Sequence, residues 1–185
     1  MTALAGVALR TARLAVRTVR AGDAPGLLAY AAHNRAHLDR WEPARPPGFE
    51  TLAYWERYIA ITEREQETGE RARFIAEYGD GGEFVASINL HGIEHGAFCG
   101  AVLGYSVDAR YEGRGLGREA VGAVVGYAFD TLALHRIEAN YQPVNQRSGK
   151  LLRALGFVVE GYSRDYLFLD GAWRDHIRAA LTRIA

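Results

Sequence analysis

The sequence predicts a mixed α/β domain of the α+β type, with about four helices flanking a central, mostly antiparallel sheet. Three observations predict it. Two amphipathic helical segments come early, between residues 23 and 67. Short strand-like runs come next, joined by turns rich in glycine and aspartate. Two further helices alternate with the later strands, and one of them opens directly on the glycine-rich turn Arg110-Tyr111-Glu112-Gly113-Arg114-Gly115-Leu116-Gly117.

Residues 1–13 are alanine-rich and mildly apolar. No basic residue precedes the apolar run, and Arg10 and Arg13 break up its continuation. The segment therefore reads as a flexible amino-terminal tail rather than a signal peptide, and the domain as residues 14–185. Leu14 to Arg20 alternates apolar and polar residues, the period of a strand. Asp23 followed by Pro25 predicts a capped helix running to about Leu38. Pro43, Pro46, Pro47 and Gly48 form a rigid loop. Thr51 caps a second helix, Leu52 to Glu67, with Leu52, Trp55, Tyr58, Ile59 and Ile61 near one face.

Three strands come after it, Arg73 to Tyr78, Phe84 to Leu90 and Ala97 to Val107. The first two are joined by a hairpin turn, Gly79-Asp80-Gly81-Gly82, and the third feeds the glycine turn. A helix from Arg118 to Leu132 points Val121, Val124, Val125, Ala128 and Phe129 inward. After a short strand, Arg136 to Tyr141, Asn145 caps a helix that ends near Leu155, with Gly156 as its stop. Phe157 to Tyr162 is a strand, and Asp165 to Leu169 pairs with Trp173 to Leu181 around Asp170-Gly171. With no repeat and no linker, the chain reads as one domain.

Composition narrows the function. Lys and Arg total 22 against 22 Asp and Glu, so the basic footprint of a nucleic-acid binder is absent. No apolar run is long enough to span a bilayer. The single cysteine, Cys99, excludes an internal disulfide and fits a reducing, cytoplasmic setting. His91 and His95 have a metal-ligand spacing only if helical, and they fall in a strand-and-turn region, so no metal is expected.

The glycine turn carries the chemistry. Glycines let the chain turn sharply and present N–H groups without side chains in the way. The helix after it adds the positive end of its dipole, giving a cradle for a pyrophosphate. A nucleotide P-loop requires Gly-Lys-Ser/Thr, which is missing. A dinucleotide fingerprint requires Gly-x-Gly-x-x-Gly, and Gly113-x-Gly115-x-Gly117 has other spacing, although Glu138 stands near the offset of its acidic residue. An ordinary glycine-rich connection stays open, as does a coenzyme loop of the form Arg-x-x-Gly-x-Gly.

A second block lies downstream of the first. His135 to Tyr141 leads to Asn145-Gln146-Arg147-Ser148 and then to Leu155-Gly156-Phe157. Together the two blocks resemble the GNAT superfamily of N-acetyltransferases. Arg147 to Leu152, Glu160-Gly161-Tyr162, Asp165-Tyr166-Leu167, Asp170-Gly171-x-Trp173, His33-Asn34-Arg35 and Trp41-Glu42-Pro43 resemble its RimJ/RimL-like branch of ribosomal-protein N-acetyltransferases. The resemblance runs from about Leu14 to the end.

It implies a sheet splayed at an acetyl-CoA site and direct attack of an amine on the thioester. The acceptor it implies is a protein amino terminus, that of a ribosomal protein. The enzyme would be a monomer or homodimer, with no metal, no membrane and no direct nucleic-acid site. By resemblance, acetyl-CoA is held by Tyr105, Ser106, Val107, Arg110, Gly113, Arg114, Gly115, Leu116, Gly117, Arg118, Asn145 and Ser148. Glu160 is the expected base, and Ser148 the expected partner of the leaving thiolate. Asn34, Trp41, Glu42 and Tyr166 border the acceptor. Two other readings use the same coenzyme site: acetylation of a small amine such as an antibiotic or polyamine, and a non-catalytic coenzyme A-binding factor in ribosome assembly.

Overall fold

The computed structural model describes residues 4–79 and 82–183. Its strands are β1 (Ala8–Arg10), β2 (Leu14–Thr18), β3 (Arg71–Tyr78), β4 (Phe84–Glu94), β5 (Gly100–Val107), β6 (Arg136–Tyr141), β7 (Val158–Leu169) and β8 (Ala172–Thr182). Its helices are α1 (Ala24–His33), α2 (Arg35–Leu38), α3 (Leu52–Thr68), α4 (Leu116–Asp130) and α5 (Gln146–Ala154). The strands form one sheet in the order β1-β2-β3-β4-β5-β6-β8-β7. All neighbours are antiparallel except β5 and β6.

Alternation along β3 divides the core between the two faces of the sheet. Ala72, Phe74 and Ala76 pack with Val121, Val124 and Ala128 of α4. Ile75 points the other way, to Leu27 of α1 and to Trp55 and Ile59 of α3. On α3 the buried stripe is Trp55, Ile59, Thr62 and Gln66, spaced by four, three and four residues as a helical face requires. Leu52 and Ile61, expected on that face, are exposed.

The parallel junction positions the site. β5 and β6 pair only over Gly100–Arg136, Ala101–Ile137 and Val102–Glu138. Beyond those pairs β6 continues on β8, and the β5 edge from Leu103 to Val107 faces a gap. The sheet is thus splayed, as expected.

Other expectations change. The first thirteen residues are not a loose tail where they are described. β1 pairs with β2, Leu4 is 1% exposed, and the Leu4 amide donates to the Gln66 carbonyl at 2.8 Å. A three-residue strand is too short to show a period, so the sequence hides it. The first helix breaks at Asn34, whose side chain turns inward. Asp23 does not cap α1. Its carboxylate accepts from both Arg17 Nη atoms, at 2.7 and 2.8 Å, and from the Arg20 amide. β7 is one long strand with irregular register at Val159/Gly161 and Ser163/Leu167 rather than two short ones. Asp170 and Gly171 both take positive φ, 48° and 71°, which suits the tight hairpin. Asp80 and Gly81 of the expected β3–β4 turn lie outside the described residues.

Candidate active site

The glycine turn is built as its sequence suggests. Asp108 ends β5 and its carboxylate accepts from the Arg110 amide at 2.8 Å, holding a single 3₁₀ turn, Ala109 to Tyr111. Gly115 precedes α4 with φ 78°, a left-handed conformation that costs an L side chain about 1–2 kcal/mol. At Gly117 the need is for space: a Cβ there would lie 2.8 Å from Val107 Cγ2 and 3.3 Å from Leu151 Cδ1. The helix amino terminus thereby sits against the end of β5, and the first amides of α4 have no intrahelical partner. Asn145 caps α5, its Oδ1 accepting from the Ser148 amide at 3.1 Å.

These segments enclose one cavity of about 690 Å³. Its walls are Tyr105, Ser106 and Val107 from β5, Tyr111 to Gly113, Gly115, Gly117 and Arg118 from the turn and α4, Val144 to Ser148, Lys150 and Leu151 from α5, and His37, Leu38, Arg40, Trp41 and Glu42 from the segment around α2. Among the described residues that line it, Arg40, Arg118, Arg147 and Lys150 supply cations against two carboxylates, Glu42 and Glu112. A narrow helix terminus ringed by cations is suited to a phosphorylated ligand. Inside, the Tyr105 hydroxyl lies 2.8 Å from Ser148 Oγ, and burial pushes its pKa up to about 12. The Tyr30 hydroxyl lies 3.1 Å from Ser106 Oγ.

Of the expected site residues, Tyr105, Ser106, Val107, Gly113, Gly115, Gly117, Arg118, Asn145, Ser148, Trp41 and Glu42 line this cavity. The others do not. Arg110 is held by Asp108, at 3.0 and 2.9 Å, and by Glu83 at 2.8 Å. Arg114 packs over the Tyr111 ring, and the Leu116 side chain is in the core. Asn34 is fully buried; it donates to Asp108 and to the Tyr30 carbonyl, and accepts from the Ala109 amide. Tyr166 lies beside His176 under the Arg178 guanidinium.

Glu160 is the largest departure. It sits on the outermost strand, paired with Arg136 in a ladder that continues through Glu138, Arg178 and Asn140. The Arg136 guanidinium holds its carboxyl below the usual carboxylate range, which makes it a poorer base. Glu160→Gln is therefore expected to keep kcat within twofold of the parent in a steady-state assay. A tenfold loss with unchanged thermal stability would return Glu160 to the chemistry.

Several contributors were invisible to sequence reasoning. Glu119 in the first turn of α4 accepts from Thr11 Oγ1 at 2.6 Å and from the Arg13 amide and Nε at 2.8 and 2.7 Å, so the β1–β2 turn braces the glycine loop. His37 Nε2 lies 3.2 Å from Glu112, which also pairs with Arg147, so α2, the loop and α5 meet across the cavity. No signal in the sequence links residues so far apart.

Comparison with known proteins places this geometry. The acetyltransferase (GNAT) domain family matches residues 13–158. The chain is 40% identical to the [ribosomal protein uS5]-alanine N-acetyltransferase of Escherichia coli strain K12, over 95% of this chain and 91% of that protein. It superposes on the crystal structure of the ribosomal-protein-S5-alanine acetyltransferase of Vibrio fischeri with a TM-score of 0.91 at 32% identity, covering 95% and 96% of the two chains. Mycobacterium smegmatis RimJ in complex with CoA-disulfide aligns with a TM-score of 0.86 at 32% identity, over 91% of this chain and 81% of that one. A match over most of the chain, reached through the splayed sheet and the glycine-turned helix terminus just described, means that the chain belongs to the GNAT family of acetyltransferases, in its RimJ-like branch.

Proposed function

We propose that this protein, acting as one domain in the cytoplasm, transfers the acetyl group of acetyl-CoA to the α-amino group of a protein amino terminus, that of a ribosomal protein, by direct attack in a ternary complex. The observation that carries the reading is the meeting, in one cavity, of a helix amino terminus, a cationic wall and an unpaired strand edge. The acceptor is inferred from the 40% identity to an enzyme named for alanine acetylation of ribosomal protein uS5.

The backbone amides from Gly113 to Arg118 hold the pyrophosphate, reinforced by Arg118 and Lys150. The β5 edge at Tyr105, Ser106 and Val107 pairs with the pantetheine arm, and the Val107 amide polarises the thioester carbonyl. Ser148 and Tyr105 present hydroxyls to the leaving sulfur. Tyr105 stays protonated at neutral pH, so it donates a hydrogen bond to a developing thiolate. Asn145, by capping α5, fixes where Ser148 stands. Trp41 and Glu42 bound the acceptor end, where a carboxylate attracts an ammonium group. A protein α-amine, with a pKa of about 7.7–8.0, asks for much less help in losing its proton than a lysine near 10.4.

Thiol release from acetyl-CoA tests the reading, with three acceptor classes: peptides with free amino termini beginning in alanine or serine, lysine peptides with blocked termini, and polyamines. Turnover confined to free amino termini is expected. Turnover only with polyamines would assign a small-amine acceptor. Coenzyme A binding without turnover in any class would assign a non-catalytic binder.

A further inference from the structure

We propose that Glu42 is the catalytic base that takes the proton from the attacking amine. The proposal deepens the acetyl-transfer reading and rests on it. Among the carboxylates and phenols of the described residues that line the cavity, the others have partners, Tyr111 donating to Glu83. Glu112 is bound to His37 and Arg147 within the pyrophosphate loop, and Tyr105 is paired with Ser148. Glu42 has no hydrogen-bond or ion-pair partner among the described residues, yet it lines the cavity.

Its placement is set by the local sequence. A 3₁₀ turn, Asp39 to Trp41, ends at Glu42, whose backbone is extended at φ −113° and ψ 155°. Pro43 comes next and restricts the residue before it to this region. Glu42 shares the cavity wall with Ser106, whose Oγ lies 3.1 Å from the Tyr30 hydroxyl. Tyr30 registers the nearby charge, and its hydroxyl touches Ser106 between the two β5 residues assigned to the thioester.

The charges that act on Glu42 are Arg73 from β3, Arg45 from the proline-rich loop and Asp39 from its own turn, and Glu42 in turn acts on Tyr30 of α1. Burial raises its proton affinity, Arg73 and Arg45 oppose that rise, Asp39 adds to it, and the net direction is up. A carboxylate of raised affinity remains a competent acceptor for an α-ammonium proton, because each step nearer the amine's own pKa makes the transfer less uphill.

In the reaction the ammonium gives one proton to Glu42. The amine nitrogen bonds to the thioester carbon, and the C–S bond breaks with its electron pair on sulfur. The second nitrogen proton goes to that sulfur, leaving amide and free thiol. Glu42 then returns its proton to solvent.

The test is the pH profile of Glu42→Gln on an alanine-terminated peptide, with coenzyme A binding measured on the same protein. Coenzyme A affinity is expected to stay within threefold of the parent. At pH 7, kcat should fall about 100-fold or more. The deficit should shrink as pH rises toward 9, because solvent then supplies the neutral amine. A kcat within threefold of the parent at pH 7, or a deficit constant from pH 6.5 to 9.5, overturns the base assignment. Failure of the parent on every α-amine would instead overturn the acceptor reading.

Discussion

Replacing Gly117 with valine is expected to weaken coenzyme A binding at least a hundredfold, about 2.7 kcal/mol, while leaving a folded protein. A Cβ at this position would meet Val107 Cγ2 at 2.8 Å and Leu151 Cδ1 at 3.3 Å, and valine adds two further carbons. Val107 is β-branched and held in a strand, so it has few rotamers into which to retreat. The remaining relief is to lift the first turn of α4 off the end of β5. Overpacking of this kind costs about 1–3 kcal/mol of stability, which a well-packed domain survives. Binding suffers more, because both displaced parts belong to the cavity: the amides of α4 and the edge at Val107. Titration calorimetry with coenzyme A, alongside thermal unfolding, separates the two effects. Gly96→Ala, where an added Cβ meets nothing within 4 Å, serves as the control. A Kd within threefold of the parent would mean that the helix terminus is not the pyrophosphate seat.

The same residues show why some of the site is legible in sequence and some is not. Gly113, Gly115, Asn145 and Ser148 act through backbone conformation or a cap three residues away, so neighbouring letters specify them. Strand and helix periods likewise reveal β2, which alternates buried and half-buried residues, and α4, whose buried face repeats along its length. Arg110 stands outside the cavity lining for a different reason. Its motif position is right, but Asp108, two residues back, captures the guanidinium, and motif spacing does not record that competition. Glu160 stands after Leu-Gly-Phe as the resemblance requires, yet its environment is set by Arg136, across a strand order in which β8 lies between β6 and β7. The bracing of Glu119 by Thr11 and Arg13 spans more than a hundred residues of sequence. Contacts fixed by topology become visible only once the topology is known.

Substituting Asp108 with alanine is expected to cost about 3 kcal/mol and to lower Tm by about 6–12 °C. The carboxylate is fully buried and accepts from the Arg110 side chain and amide and from Asn34. Without it, Asn34 loses an acceptor in a site closed to solvent, and Arg110 keeps Glu83 and the face of the Tyr111 ring. Burial by itself would raise the proton affinity of Asp108, but the hydrogen bonds from Arg110 and Asn34 prevail and hold its pKa below the ordinary value. Its contribution is therefore fully present above the unfolded pKa of about 3.9 and is lost as pH falls through the lower folded value. Chemical denaturation should show a constant gap between parent and variant from pH 5 to 8 that closes below pH 4; a gap that narrows already near pH 6 would assign the effect to another group. Asp108 also ties two halves of the reaction together. Through Asn34 it holds the corner between α1 and α2, which leads to Trp41 and Glu42, and through Arg110 it holds the start of the glycine turn. Below the variant's Tm, loosening that link should raise KM for acetyl-CoA and for the acceptor together, whereas a defect in one wall of the cavity would move one KM alone.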